Sequence, residues 1–385
     1  MKGLVLDAKW DPRPEYALSE WEKQTGKAIS GNMIWRHPKL SVRTWEDPKL
    51  GPNDVLIEVR ACGVCGSDMH FYETDADGYI LYPGLTKFPT ILGHEFSGKV
   101  VEVGKEVTSL KVGDMVTVEE MIWCGRCIPC RNGFLNHCAN LEEIGFTIPG
   151  AFAEYIAVDE KFCWKIDAIA ERFGDEQKAY EVGALTEPSA VSYNAMFNRA
   201  GGFKPGHYVS VFGAGPIGLA AIGLAKAAGA GMIVAFEVSP QRRELAKQVG
   251  AEYVYDPREV KPSEVLMELS KGEGFNFHVE AAGVPELVLP EVEKALAINA
   301  KVTLIGRAAQ KVPMYFELFQ IRRSQIFGSQ GHSGDENFPN VIRLVASGRL
   351  DLSPIITARY KLDDVVQAID KSRDRSDGKI MVSPR

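Results

Sequence analysis

Positive charge is not in excess in this sequence: 44 Lys and Arg stand against 51 Asp and Glu, a formal charge of −7. Such a balance does not hold a polyanion by bulk electrostatics, which argues against general nucleic-acid binding. Extended apolar runs are also scarce. One uncharged stretch, Tyr208 to Ala225, spans 18 residues, yet it carries four glycines and Pro216. A strand–turn–helix accounts for it better than a membrane span. The opening residues Met1 to Asp7 include no apolar core long enough for a secretory leader. No internal repeat and no low-complexity linker is found. Cysteine is sparse and odd in number, seven in all, and four of the seven lie between Cys124 and Cys138. Without a secretion signal, a tight cluster points to metal rather than disulfides, and the expected compartment is the cytoplasm. What remains is ordinary globular material, 45% hydrophobic and 25% charged. That excludes intrinsic disorder, and 385 residues suggest two or three domains.

The pattern changes near residue 185. Before it, short β-rich runs (55–59, 98–103, 115–118, 155–158) are cut by Gly and Pro turns, as in an antiparallel, barrel-like domain. After it, strand candidates at 209–212, 233–237, 253–255, 277–281, 302–305 and 326–328 alternate with helical patterns. Ser239 and Pro240 open one such helix and Gly250 closes it. This alternation predicts an α/β domain with a doubly wound parallel sheet. A helical run at 338–347 and the apolar stretch 379–382 complete the chain.

Val209–Phe212 leads directly into Gly213-Ala214-Gly215-Pro216-Ile217-Gly218. Glycine at the first position allows a tight turn, at the second a close approach of backbone to pyrophosphate, and at the third close helix–strand packing. The helix N-terminus then offers free N–H groups to phosphate. Glu237, at the end of the next strand, suits a ribose 2′-hydroxyl and repels a 2′-phosphate. NAD is therefore expected over NADP, although Arg242 and Arg243 follow closely. Gly213, Gly215, Pro216, Ile217, Gly218, Glu237 and Arg242 form the expected cofactor site.

Cys124, Cys127, Cys130 and Cys138 place four thiols in one loop. Four soft thiolates suit a closed, structural zinc site. The rival is an iron–sulfur cluster, but a ferredoxin-type run brings its fourth Cys sooner and follows it with Pro; here Ala139 follows. A second set is dispersed. Cys65 opens Cys65-Gly66-Ser67-Asp68-Met69-His70, and His94-Glu95 follows Gly93. Together they offer S, N and O donors, and a catalytic zinc needs about three such ligands and an open position. Glu187, at the expected domain boundary, is either a fourth oxygen donor or a helix N-terminal acid favoured by the dipole. Cys62 and Cys163 are expected to be buried apolar groups, His137 a solvated neighbour of the cluster, His278 a packed strand residue and His332 a loop residue.

Taken in order, Cys-x-Ser-x-x-His, Gly-His-Glu, the four-Cys loop, Glu-Pro and the Gly-x-Gly-x-x-Gly turn with its acid resemble the zinc-containing medium-chain dehydrogenases over nearly the whole chain. The resemblance implies a GroES-like catalytic domain, residues 1–184 completed by 330–385, around a Rossmann NAD-binding domain, 185–329. It implies two Zn²⁺ per subunit: a catalytic ion held by Cys65, His94 and Glu95 with Glu187 at or beside it, and a structural ion on the four cysteines. It makes Ser67 the hydroxyl next to the substrate oxygen and His70 the outer end of a proton relay through the cofactor ribose. An acid at 187 resembles the sorbitol and threonine dehydrogenase branch. The implied reaction is reversible hydride transfer between NAD⁺ and a secondary alcohol of a polyol or cyclitol, inositols and keto-inositols of inositol catabolism included. A homodimer or homotetramer is implied as well, with no nucleic-acid or membrane partner. Two departures stand out: an extra segment from Trp10 to Trp35, and a long stretch from Tyr72 to Lys87. The alternatives are an L-threonine-type amino-alcohol dehydrogenase and, in another class, a non-catalytic NAD and zinc scaffold. The scaffold would need only the four-Cys loop and the nucleotide domain, not Cys65, Ser67 and His94-Glu95.

Overall fold

The computed structural model describes residues 1–308 and 311–384. The chain divides into two compact units, Met1–Glu187 with Ala358–Asp374 and Ile380–Arg385, and Pro188–Thr357 with Arg375–Lys379.

The first unit is built on an antiparallel sheet. Strand Asp54–Gly63 pairs with Glu95–Val103 and with Tyr155–Asp159, Glu95–Val103 pairs with Met115–Val118, and that strand pairs with Cys163–Lys165. Alternation in the central strand drives Val55, Ile57 and Val59 into the core, where each is fully buried. Phe96, Phe152 and Phe162 join them, each contributing about 2 kcal/mol by leaving water. The C-terminal strand Lys379–Ser383 enters this sheet with Val382 opposite Cys62.

The extra Trp10–Trp35 segment connects two antiparallel strands, Lys2–Trp10 and Trp35–Thr44. Its short helix Glu20–Thr25 starts in a Ser19/Glu22 capping box and stops at Gly26 in the left-handed region. The second long stretch folds against it. Arg36 bridges to Tyr79 and Ala28 to Thr86. Arg13 ion-pairs with Asp75 and lies 4.0 Å over the Tyr79 ring. From this clasp the Leu81 and Tyr82 N–H groups reach the His70 carbonyl at 3.0 and 3.1 Å. The two departures thus hold the C-terminal end of helix Gly66–Tyr72, which carries Ser67 and His70.

The second unit is a six-stranded parallel sheet. Its strands are Tyr208–Phe212, Met232–Phe236, Tyr253–Tyr255, Phe275–Glu280, Leu296–Leu304 and Gln325–Gly328. In space the third, second and first are followed by the fourth, fifth and sixth. This is the dinucleotide-binding order, with its reversal beside Tyr208–Phe212. Helix Pro240–Val249 has Ser239 as N-cap and ends at Gly250. The uncharged Tyr208–Ala225 stretch is a strand, a turn and helix Pro216–Ala227, and no described helix is long and apolar enough to cross a membrane.

The second unit runs on to Thr357, so the return to the first comes at 358 rather than 330. Side-chain amides account for this. Asn194 Nδ2 donates to the Gly331 carbonyl at 2.9 Å, and Asn198 Nδ2 donates to Asn337 Oδ1 at 2.8 Å. Helix Asn337–Ala346 is thereby tied to the Rossmann unit. After the return, Arg359 grips Glu181 with two hydrogen bonds of 2.7 and 2.8 Å.

Candidate active site and metal centres

Cys65 and Glu95 are brought together by strand register. Gly63 pairs with Glu95 across the antiparallel ladder. The end of one strand therefore lies beside the start of its neighbour, and Cys65 follows the first as His94 precedes the second. Cys65, His94 and Glu95 each offer a donor atom, all within 4.8 Å of one another. His94 and Glu95 are buried and Cys65 is half-buried. Burial opposes a charge on His94, but the Cys65 sulfur, then Asp68 and Glu187, outweigh it and hold the imidazole well above its ordinary range. A site that favours a proton so strongly between a thiolate and carboxylates has the electrostatics of a cation site. The soft S, borderline N and O donor set fits zinc.

The surroundings hold these donors still. Asp68 Oδ2 accepts the Cys65 N–H at 2.9 Å, and Oδ1 lies 3.9 Å from His94 Nδ1. The Phe146 ring packs 4.8 Å from the His94 ring. Ser67 Oγ is buried and makes no hydrogen bond among the described residues. Such an orphaned hydroxyl is costly unless a ligand completes it. His70, one helical turn on, has Nδ1 3.5 Å from Glu73 Oε2.

Glu187 is buried and its charge acts on His94, but it is not one of the three mutually close donors. Its carboxylate lies instead within 4.8 Å of that of Glu120, also buried. Sequence reading missed Glu120, because an acid at the end of Met115–Val118 carries no signal distinguishing it from a solvated strand end.

The four cysteines converge, all sulfurs lying within 4.8 Å of one another. Cys127 Sγ and Cys138 Sγ are 3.9 Å apart. A tetrahedron with Zn–S of about 2.3 Å has an edge of about 3.8 Å, so the spacing fits. Backbone N–H groups of Cys124 and Asn140 point at Cys138 Sγ, and that of Ala139 at Cys127 Sγ. The Arg126 amide, the Asn140 side chain and the Cys127 amide lower the Cys124 thiol to about 5, whereas burial, then Cys127, pushes Cys130 up to about 12. Amides aimed at sulfur stabilise thiolates. No disulfide joins any of the seven cysteines, and Cys62 is fully buried and Cys163 half-buried. His137 is exposed beside the cluster.

The nucleotide turn is as constrained as its glycines suggest. A Cβ on Gly218 would stand 1.9 Å from the Gly213 carbonyl oxygen. A Cβ on Gly215 would meet only Arg242 Nη1, at 3.6 Å, so nothing in the protein itself requires glycine there. That open cradle at the N-terminus of a 12-residue helix fits a pyrophosphate. Pro216 opens this helix, and the Ile217 carbonyl accepts the Ser192 hydroxyl at 2.8 Å. Glu237 accepts the Ala214 N–H at 2.7 Å through Oε2 and the Ser239 N–H at 2.8 Å through Oε1. Arg242 donates to the Asp377 carbonyl at 2.8 Å, and Arg243 to Asp256 at 2.9 Å. His278 is buried, with Nδ1 2.7 Å from Ser210 Oγ. His332 is buried as well, its ring 5.2 Å from that of Phe338, although it lies on a loop.

Comparison with known proteins identifies the family. Residues 51–168 match the alcohol dehydrogenase GroES-like domain, and residues 216–347 match the zinc-binding dehydrogenase domain. The chain is 44% identical over 382 residues to scyllo-inosose 3-dehydrogenase of Thermotoga maritima, covering 96% of each. It is 36% identical to L-threonine 3-dehydrogenase of Thermococcus kodakarensis, covering 88% of this chain and 92% of that one. A solved Thermotoga maritima structure described as an alcohol dehydrogenase superposes with a TM-score of 0.96 at 44% identity, covering 99% of each chain. The chain belongs to the zinc-containing medium-chain dehydrogenase family and is a dehydrogenase that works with zinc and a nicotinamide dinucleotide.

Proposed function

We propose that this enzyme reversibly oxidises a secondary hydroxyl of a cyclitol or related polyol with NAD⁺, and that a keto-inositol is the carbonyl partner. The observation that carries the reading is the three-donor cluster of Cys65, His94 and Glu95, beside which Ser67 Oγ stands buried and unbonded. The 44% identity to a scyllo-inosose dehydrogenase across the whole chain supports the substrate class.

In this reading Cys65, His94 and Glu95 hold a catalytic zinc with Glu187 beside it. Cys124, Cys127, Cys130 and Cys138 hold a structural one. The catalytic ion supplies Lewis acidity that makes the hydroxyl easier to deprotonate. The chain's own groups do the rest. Ser67 takes the hydroxyl proton, and His70 carries it outward. Gly213, Gly215, Pro216, Ile217 and Gly218 seat the pyrophosphate. Glu237 selects the unphosphorylated ribose, with Arg242 at the rim of the turn. Free thiols throughout support a reducing cytoplasm as the compartment. Exposed Ile298, Tyr315, Phe316 and Ile321, near the Gln325–Gly328 edge strand, support a homo-oligomer.

The test is NADH formation with a panel of inositols, sorbitol and L-threonine, together with zinc analysis of the purified enzyme. Turnover strongest with a cyclitol and two zinc ions per subunit are expected. Turnover with L-threonine alone, or one zinc confined to the four cysteines in active enzyme, overturns the reading.

A further inference from the structure

Helix Gly66–Tyr72 ends beside a cleft of about 690 Å³, whose lining includes His37, Lys39, Tyr72, Glu73, Leu81 and Arg373. Glu73 caps this helix, its N–H donating to the Met69 carbonyl at 2.8 Å. It stands between two partners. Oε2 lies 3.5 Å from His70 Nδ1, and Oε1 lies 3.7 Å from Arg373 Nε. The Leu81 N–H donates to both the His70 and the Glu73 carbonyls at 3.0 Å, so the backbones of the pair are pinned in one relation. The Glu73 side chain is 27% exposed. It is thus shielded enough to hold a geometry and open enough to exchange with water.

We propose that Glu73 is the proton outlet of this enzyme. This rests on the reading of His70 as the outer end of the relay. Oxidation removes one hydride, to nicotinamide, and one proton, from the substrate hydroxyl. The proton that reaches His70 leaves as Nδ1–H to Glu73 Oε2, restoring a neutral imidazole. The protonated carboxyl then loses it to water in the cleft. The charged and titratable groups around Glu73 are His70, Arg373, His37, Lys39 and Tyr72, with Asp370 behind Arg373 at 3.7 Å. Glu73 does not touch substrate; it acts through His70 as a positioning and transfer group.

The experiment compares Glu73→Gln, Glu73→Asp and His70→Gln during alcohol oxidation. It reads kcat and KM in dilute buffer and in concentrated imidazole, and single-turnover proton release with an indicator dye in dilute buffer. Glu73→Gln is expected to lower kcat and proton release roughly tenfold in dilute buffer, less than the 10²–10⁴-fold typical of a direct general acid or base because water can partly replace an outlet, with KM unchanged. Imidazole should restore kcat, and Glu73→Asp should restore kcat and proton release in part. A Glu73→Gln enzyme with the parent kcat–pH profile and no response to imidazole overturns the outlet. If His70→Gln also matches the parent, the relay reading itself has failed. Should Glu73→Gln not fold, Glu73→Asp decides: a partial loss of kcat in dilute buffer that imidazole restores supports the outlet, and the parent kcat in dilute buffer overturns it.

Discussion

The Asp68 carboxylate serves two neighbours at once, accepting the Cys65 N–H at 2.9 Å through one oxygen and placing the other 3.9 Å from His94 Nδ1. It is fully buried, so its orientation is set by packing rather than by solvent. Groups behind a ligand fix its tautomer and direction, and their loss typically costs 10–100-fold in metal affinity. Asp68→Asn should therefore weaken retention of one of the two zinc ions about tenfold or more. Competition with a graded chelator checks this, with circular dichroism to show the fold intact. Zinc retention equal to the parent would exclude the role.

The four-cysteine loop is expected to contribute stability rather than chemistry. Its sulfurs are already close, and metal bound only in the folded state adds its binding energy to folding. Cys127→Ala should lower Tm by several degrees, while kcat per correctly folded, zinc-loaded active site stays near the parent value. Differential scanning calorimetry with active-site titration separates the two. An unchanged Tm with kcat lost would reverse the assignment.

Glu237 is held at the nucleotide turn by the Ala214 and Ser239 amides. In the proposed cofactor site, removing it would lose an acceptor for the ribose and the repulsion of a 2′-phosphate. Glu237→Ala should raise KM for NAD⁺ at least tenfold, the scale of a hydrogen bond to a charged group. It should also narrow the preference over NADP⁺, and steady-state kinetics with both cofactors measures the change.

Gly218 has no room for a side chain, since a Cβ would stand 1.9 Å from the Gly213 carbonyl oxygen. Gly218→Ala should force the turn apart and weaken NAD⁺ binding, whereas Gly215→Ala should leave stability near the parent and lose only cofactor affinity. Calorimetric titration with NAD⁺ and thermal melts of both variants discriminate the two positions.

Burial keeps His278 neutral, lowering it to about 4 from an ordinary 6.5. The unfolded chain takes up the proton first, so this group disfavours the folded state as pH falls below about 6.5, and its cost saturates below about 4. At pH 5 the penalty is about 2 kcal/mol. His278→Asn should shrink the drop in Tm between pH 7 and pH 5, even if it lowers Tm at both. A parallel shift at the two pH values would show that other groups carry the acid sensitivity.

Much of the fold was legible because it is written locally. The six strands of the parallel sheet were found within a few residues, except that Leu296–Leu304 begins well before 302. Alternating apolar runs and Gly turns survive in a short window. Ser239, Pro240 and Gly250 bracket a helix for reasons confined to its own ends. The π-helical turn Asn194–Arg199 left no such mark, since it continues helix Thr186–Tyr193 without a breaker. The Glu120–Glu187 approach was invisible for a different reason. It depends on two elements 67 residues apart being buried together.

The sequence by itself determined the chemistry on offer: four thiols in one loop, a Cys and a His-Glu pair after strand and turn, and a glycine turn leading into a helix. Residue type and short spacing carry that information, because ligand softness, backbone freedom and helix ends are local properties. Only the tertiary structure decided which groups meet. The Gly63–Glu95 register brings Cys65 to His94, the clasp of the two inserted stretches pins the helix end that carries His70, and side-chain amides hold Asn337–Ala346 to the Rossmann unit. Such contacts join residues far apart in the chain, and long-range pairing and burial leave no periodic trace in the segments that make them.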